Sequence, residues 1–179
     1  MTDDSIEYPA NATTRTARLF VQTGRRPRNA EEQDAYLRSY FLKAETCPLG
    51  ILEACAEEMA SLIRGEECIL IPVPDCTGFT GRNLRLAQCI EVYAKGKAQV
   101  TDILTRSEST ESQCDRHCKG EAALTPEELK IAVRPHKLFR LQKIYFVDNV
   151  TTSGATIQAC RDALGFGTGL VYAEAMRRK

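Results

Sequence analysis

The chain lacks any run of about 18 apolar residues, so no transmembrane helix and no membrane partner are expected. It also lacks net charge. Lys+Arg and Asp+Glu stand at 24 each, and no global field draws the protein to nucleic acid or a membrane surface. No secretory signal opens it: MTDDSIEYPA is acidic and polar, and a cytoplasmic location is the expectation. No internal repeat is present. What remains is an ordinary globular mixture, 43% hydrophobic and 27% charged over 179 residues, enough to bury the core of one compact domain.

Cysteine is the exception to this plainness, with eight residues. An even count suits a disulfide framework, but without a secretory signal the thiols are expected to stay reduced. Cys55, Cys68, Cys89 and Cys160 fall in apolar patterns, where cysteine serves as a small core residue. Cys114, His117 and Cys118 cluster in CDRHC. Structural zinc takes four ligands, and no second paired cluster accompanies these three, so no zinc is expected.

The periodicities divide the chain near Gly65. Residues 1–65 form an extension or hood. It opens with an aperiodic arm, then an Arg-rich segment, Arg15–Arg28, whose centre reads as a strand. Five arginines and no acid there could contact nucleic acid or an acidic protein. Asn29 is a plausible N-cap for a helix with Tyr36, Leu37, Tyr40, Phe41 and Ala44 on one face. Those aromatics would suit a core or an interface between copies of the chain. A second helix runs to about Arg64, with Ile51, Cys55, Met59, Leu62 and Ile63 in its stripe. Residues 66–179 then alternate strands and helices. Strands are expected at Glu67–Val73, Ala98–Leu104, Lys143–Asp148 and Gly169–Ala175. Helices are expected at about 82–94, after Thr125, and at about 155–164. Residues 105–125 are polar and aperiodic, long for a connection and of the kind that carries function. This order implies an α/β fold with a mainly parallel sheet, whose ligands bind beyond the carboxyl ends of the strands.

The segment Ile144–Thr156, IYFVDNVTTSGAT, carries the chemistry. Four apolar residues make a buried strand, and Asp148 and Asn149 fall where it emerges. Thr151, Thr152, Ser153, Gly154, Ala155 and Thr156 then lead into a helix. Hydroxyls and free amides at a helix start make an anion site. An adjacent acid accepts hydrogen bonds from sugar hydroxyls. A phosphate cradle beside a hydroxyl acceptor describes a sugar-phosphate site.

This string resembles the signature of type I phosphoribosyltransferases: four apolar residues, two acids, an apolar residue and a hydroxyl-rich glycine loop. The resemblance implies that Thr151–Thr156 hold the 5′-phosphate of phosphoribosyl pyrophosphate and that Asp148 and Asn149 face the ribose hydroxyls. Asn149 stands where the pattern has a second acid. ILIPVPDCTGFTGRNLRLAQ resembles the competence-protein (ComF-like) branch, in which this loop contacts pyrophosphate; Pro74, Asp75, Gly81, Arg82 and Asn83 fall on it, and Arg82 and Arg85 are its nearby cations. Arg106 with Ser112-Gln113 matches the mobile loop of that branch, where Arg116 and Lys119 add charge. The N-terminal zinc-binding cysteine cluster of the branch is missing.

The resemblance implies an enzyme that displaces pyrophosphate from C1 of the ribose by a nitrogen acceptor, with magnesium on the pyrophosphate. Asp148 would hold the ribose and, indirectly, the metal; Arg82 and Arg106 would stabilise the leaving group. No residue in the signature serves as general base for the acceptor, since Thr152 occupies that position. The same residues admit a second function: a non-catalytic effector or regulator that binds a phosphoribosyl ligand or nucleotide within a larger bacterial complex, such as a phage-defence system.

Overall fold

The computed structural model describes residues 14–21, 27–112, 115–116, 119–136 and 143–176. Among the described residues, five strands form one wholly parallel sheet: β1 (Thr14–Val21), β2 (Cys68–Pro72), β3 (Ala98–Val100), β6 (Lys143–Thr151) and β7 (Thr168–Met176). Their spatial order is β1-β7-β6-β2-β3. Two short strands, β4 (Leu104–Arg106) and β5 (Ile131–Val133), pair antiparallel as a separate ribbon. The helices are α1 (Ala30–Lys43), α2 (Leu49–Ser61), α3 (Gly81–Tyr93) and α4 (Ala155–Leu164). Among the described residues no helix is long and apolar enough to cross a membrane.

The unbroken apolar runs follow from cover on both faces of the sheet. On β2, Cys68 and Leu70 join a core with Leu86, Ala87 and Ile90 of α3 and with α1 and α2. Ile69 and Ile71 join the opposite core with Ile157 and Cys160 of α4 and Leu104 of the ribbon. On β6, Tyr145 and Val147 face the first core, Ile144 and Phe146 the second. Gly167 takes φ +130, and a Cβ there would stand 2.4 Å from the Phe146 ring, so only glycine admits this approach.

The topology places the site. From β2 the chain passes through α3 to β3 on one side, then returns on the other side as β6. Strand order therefore reverses between β2 and β6. The crevice beyond their carboxyl ends is where sheets of this kind bind ligands.

The extension is built into the same sheet. β1 runs along β7 from Thr14↔Gly169 to Val21↔Met176. Asn29 caps α1 as expected, in a reciprocal capping box: its side chain accepts from the Glu32 amide at 2.8 Å, and Glu32 accepts from the Asn29 amide at 3.0 Å. The buried face of α1 differs from the expected one. Glu32, Ala35, Ser39 and Leu42 point inward, while Leu37, Tyr40 and Phe41 are exposed. Small residues at 35 and 39 let the helix lie close to the sheet, a signal that the larger aromatics mask. Tyr36 is partly buried and meets Phe20 edge-on at 5.7 Å.

Two further expectations change. The strand expected at 98–104 divides: Thr101 still donates to the Leu70 carbonyl, but Asp102 turns out to accept from Thr80 Oγ1 at 3.1 Å. The helix expected after Thr125 shrinks to one 3-10 turn, Glu127–Leu129. Its capping box forms, with Glu128 accepting from the Thr125 amide at 2.7 Å. Lys130 then adopts left-handed φ 53, which ends the turn and releases β5 to pair with β4.

At the far, amino-terminal edge of the sheet, Glu66 gathers three donors: Tyr145 Oη at 2.5 Å, Arg15 at 2.8 Å and Lys143 at 3.1 Å. These bonds, that from Tyr145 first, hold its carboxyl down to about 2 against an ordinary 4.5. The stabilisation is present above about pH 4.5 and is lost as pH falls toward 2. Glu66→Gln is expected to destabilise the protein by about 1–2 kcal/mol at pH 7. In urea melts the gap to wild type should narrow below pH 4; a gap that ignores pH would refute the ionic account.

Candidate functional site

Asp148 lies on β6 at the carboxyl edge of the sheet, paired with Val171 of β7. Its Oδ1 accepts from the Asn149 amide at 2.8 Å and from Asn83 Nδ2 at 3.1 Å. Burial pushes the Asp148 carboxyl up to about 6, against these two donors and the charges of Lys43 and Arg106. Asn83 is 6% exposed, and the same Nδ2 also donates to the Val73 carbonyl at 2.8 Å. One amide thus fastens the end of β2, the start of α3 and the Asp148 carboxylate across the switch point.

The strand continues further than the apolar pattern suggests, through Asn149 and Val150 to a buried Thr151. Only Thr152, Ser153 and Gly154 are left to make the turn. Gly154 takes φ 77, and α4 begins without a side-chain cap. Ser153 Oγ accepts weakly from the Ala155 amide at 3.3 Å. The first-turn amides of α4 beyond Ala155 have no side-chain cap, the arrangement of a helix start that can take an anion. Thr152 and Thr156 flank them, half-buried.

Across the crevice the β2–α3 loop is organised by its own acid. Asp75 Oδ1 accepts from the Thr77 amide at 2.8 Å, the Thr77 hydroxyl at 2.7 Å and the Phe79 amide at 3.1 Å. Its other oxygen stands 3.5 Å from Arg82. A carboxylate in an anion-binding loop looks adverse in sequence; here it shapes the loop and restrains Arg82. Pro74 opens this loop and Gly81 begins α3 beneath the Phe79 ring, where a Cβ would meet the ring at 2.2 Å. Arg85 turns away, donating to the Glu45 carbonyl at 3.3 Å.

Arg106 belongs to the ribbon. Its Nη1 donates to Thr110 Oγ1 and to the Leu129 carbonyl, both at 2.9 Å. Its buried Nε finds no partner, and it forms no ion pair among the described residues. Burial lowers its pKa, opposed by neighbours that include Cys160, Cys76, Asp148 and Asp75. The ribbon docks on the β2–α3 loop, because Thr110 donates to the Cys76 carbonyl at 2.8 Å. Arg106 is therefore an anchored cation at the base of the 105–125 segment. Arg116 pairs with Glu111 and Glu121, and Lys119 with Glu111, so both are engaged within the segment itself. Gln113, Cys114, His117 and Cys118 lie outside the described residues.

Sequence reasoning gives no cause to single out Lys43, yet its charge reaches Asp148 from the end of α1. Only the packing of α1 on β6 reveals this. In the Arg-rich segment, Arg15 pairs with Glu66, Arg18 with Glu58, and Arg28 lies 3.6 Å from the Tyr36 ring centroid. Arg15 ties the extension to the rest of the domain, while Arg18 and Arg28 hold its own strand and helices together. Arg25 and Arg26 lie outside the described residues.

The sequence matches no protein-family model and no curated protein. No group of three or more metal-ligating side chains gathers among the described residues.

Proposed function

We propose that the switch-point crevice binds phosphoribosyl pyrophosphate or a nucleotide, and that the protein transfers phosphoribose to a nitrogen acceptor, releasing pyrophosphate. The observation that carries it is the meeting of an uncapped, hydroxyl-rich helix start with a half-buried carboxylate at the one place where strand order reverses. Thr151–Thr156 would take the 5′-phosphate, and Asp148 and Asn149 the ribose hydroxyls. The C1–O bond to pyrophosphate breaks, a C1–N bond forms, and the acceptor proton passes to solvent. Arg106 and Arg82 would offset charge on the departing pyrophosphate.

Magnesium fits this site as an ion carried on the ligand. Asp148 Oδ1 is taken by two donors, whereas Oδ2 has no hydrogen-bond partner among the described residues. One carboxylate oxygen suits contact with a hydrated, phosphate-bound ion better than a protein-built cage. When bound, magnesium would neutralise the pyrophosphate; the protein residues position the ribose and exclude water around it.

Pyrophosphate release from phosphoribosyl pyrophosphate and magnesium, measured across a panel of nitrogen acceptors, tests the transfer. Release by the wild type and none by Asp148→Ala is the expected result. Asn149, which carries no charge where a second acid would help, favours ligand binding without turnover as the second function. Tight binding with no release on any acceptor would establish that one instead.

A further inference from the structure

Two cations approach the Asp148 end of the crevice from opposite layers of the fold: α1 packs on β6, and Arg85 of α3 donates to the Glu45 carbonyl two residues past Lys43, which sets the end of α1 beside the start of α3. Arg106 comes from the ribbon on the α4 face of the sheet, since its neighbour Leu104 packs in that core. Lys43 comes from the other face, as the last residue of α1, directly after the buried Leu42. The Lys43 side chain is half-buried and has no hydrogen bond or ion pair among the described residues. Both charges act on the Asp148 carboxylate. Arg82, by contrast, is tied to Asp75. The crevice thus holds one acid and two cations not otherwise neutralised, an excess that a polyanionic ligand would balance. A lysine in a last helical turn also complements the helix dipole, but that role needs neither burial nor approach to an acid.

We propose that Lys43 is a ligand-binding residue of this crevice, taking the pyrophosphate group from the α1 side while Arg106 takes it from the ribbon side. This rests on the crevice being a phosphoribosyl site, and it supplies from the N-terminal extension a cation that the loop's own Arg82 and Arg85, engaged by Asp75 and the Glu45 carbonyl, do not. The extension then does more than cover the sheet, since it completes the site.

Calorimetric titration with magnesium and three probes decides it: phosphoribosyl pyrophosphate, inorganic pyrophosphate and ribose 5-phosphate. Lys43→Gln is expected to weaken the two pyrophosphate-bearing probes by about tenfold or more and to leave ribose 5-phosphate within about twofold. Lys43→Arg, which keeps the charge, should recover most of the affinity. Lys95→Gln, at the far end of α3, controls for bulk charge and should change nothing. Wild-type affinity for the pyrophosphate probes in Lys43→Gln would overturn the assignment while leaving the phosphoribosyl site standing. Equal loss in the Gln and Arg variants, or equal loss for all three probes, would mark a structural effect and overturn it too. If the wild type binds neither phosphoribosyl pyrophosphate nor ribose 5-phosphate, the site itself is refuted, and Lys43 with it.

Discussion

Asp148→Asn is expected to raise the stability of the ligand-free protein at pH 8 while weakening its affinity for ribose-phosphate ligands. Burial lifts the Asp148 carboxyl to about 6 from an ordinary 3.8. For an acid, a raised folded value means that the folded state holds the proton more tightly than the unfolded chain. Stability therefore falls as pH rises between about 4 and 6, and the whole penalty stands above pH 6. Two pH units correspond to about 3 kcal/mol, and relaxation of the site reduces this to about 1–3 kcal/mol. Asparagine keeps an oxygen to accept from Asn83 and from the Asn149 amide, and it removes the charge. A Tm gain of several degrees at pH 8 follows for a domain of this size, shrinking toward zero at pH 4. The same substitution deletes the charged acceptor proposed for the ribose hydroxyls, worth about 1.5–3 kcal/mol, and so is expected to lower affinity by roughly 10- to 100-fold. In the wild type, binding should weaken below pH 6 as the carboxyl protonates. A Tm that drops at pH 8, or unchanged ligand affinity, would show that the carboxylate is structural.

Much of this site can be read in the chain before any coordinates. The run IYFV reads as a strand covered on both faces, with a hydroxyl-rich turn at Gly154 after it, and the structure has both. Those features are local, and local sequence encodes them. The partner loop was legible as a place but not as chemistry. Asp75 reads as a misplaced charge until its three donors and Arg82 are seen around it. Arg106 reads as part of a mobile loop, whereas Thr110 and the Leu129 carbonyl, 23 residues away, fix its guanidinium. Lys43 has no motif, because its relation to Asp148 exists only through the docking of α1 on the sheet. The exposed aromatics of α1 mislead for a related reason: hydrophobic pattern ranks residues by size, while close packing against a sheet selects for small ones.

Asn83→Ala carries the second large effect, about 2–4 kcal/mol of destabilisation. Its amide donates at once to the Val73 carbonyl and to Asp148, both groups that the fold removes largely from water. Truncation leaves a buried carbonyl and a half-buried carboxylate each one donor short. The Asp148 carboxyl would then rise above about 6, because the Asn83 bond is one of the contacts that lower it. The pH below which ligand binding fails should move upward with it. Asn83→Asp separates the two contributions. It keeps the shape but sets a second carboxyl about 3 Å from the first, and such a pair cannot ionise fully together. At pH 5 the two can share a proton, which satisfies the carboxyl pair but leaves the Val73 carbonyl one donor short, so the variant should be less stable than wild type yet more stable than at pH 8. By pH 8 it should be at least as unstable as Asn83→Ala, whose own loss also deepens as pH rises through the upshifted Asp148 value. Urea denaturation at the two pH values measures both. A cost below about 1 kcal/mol for Asn83→Ala would mean that the two halves of the crevice hold their places without this amide.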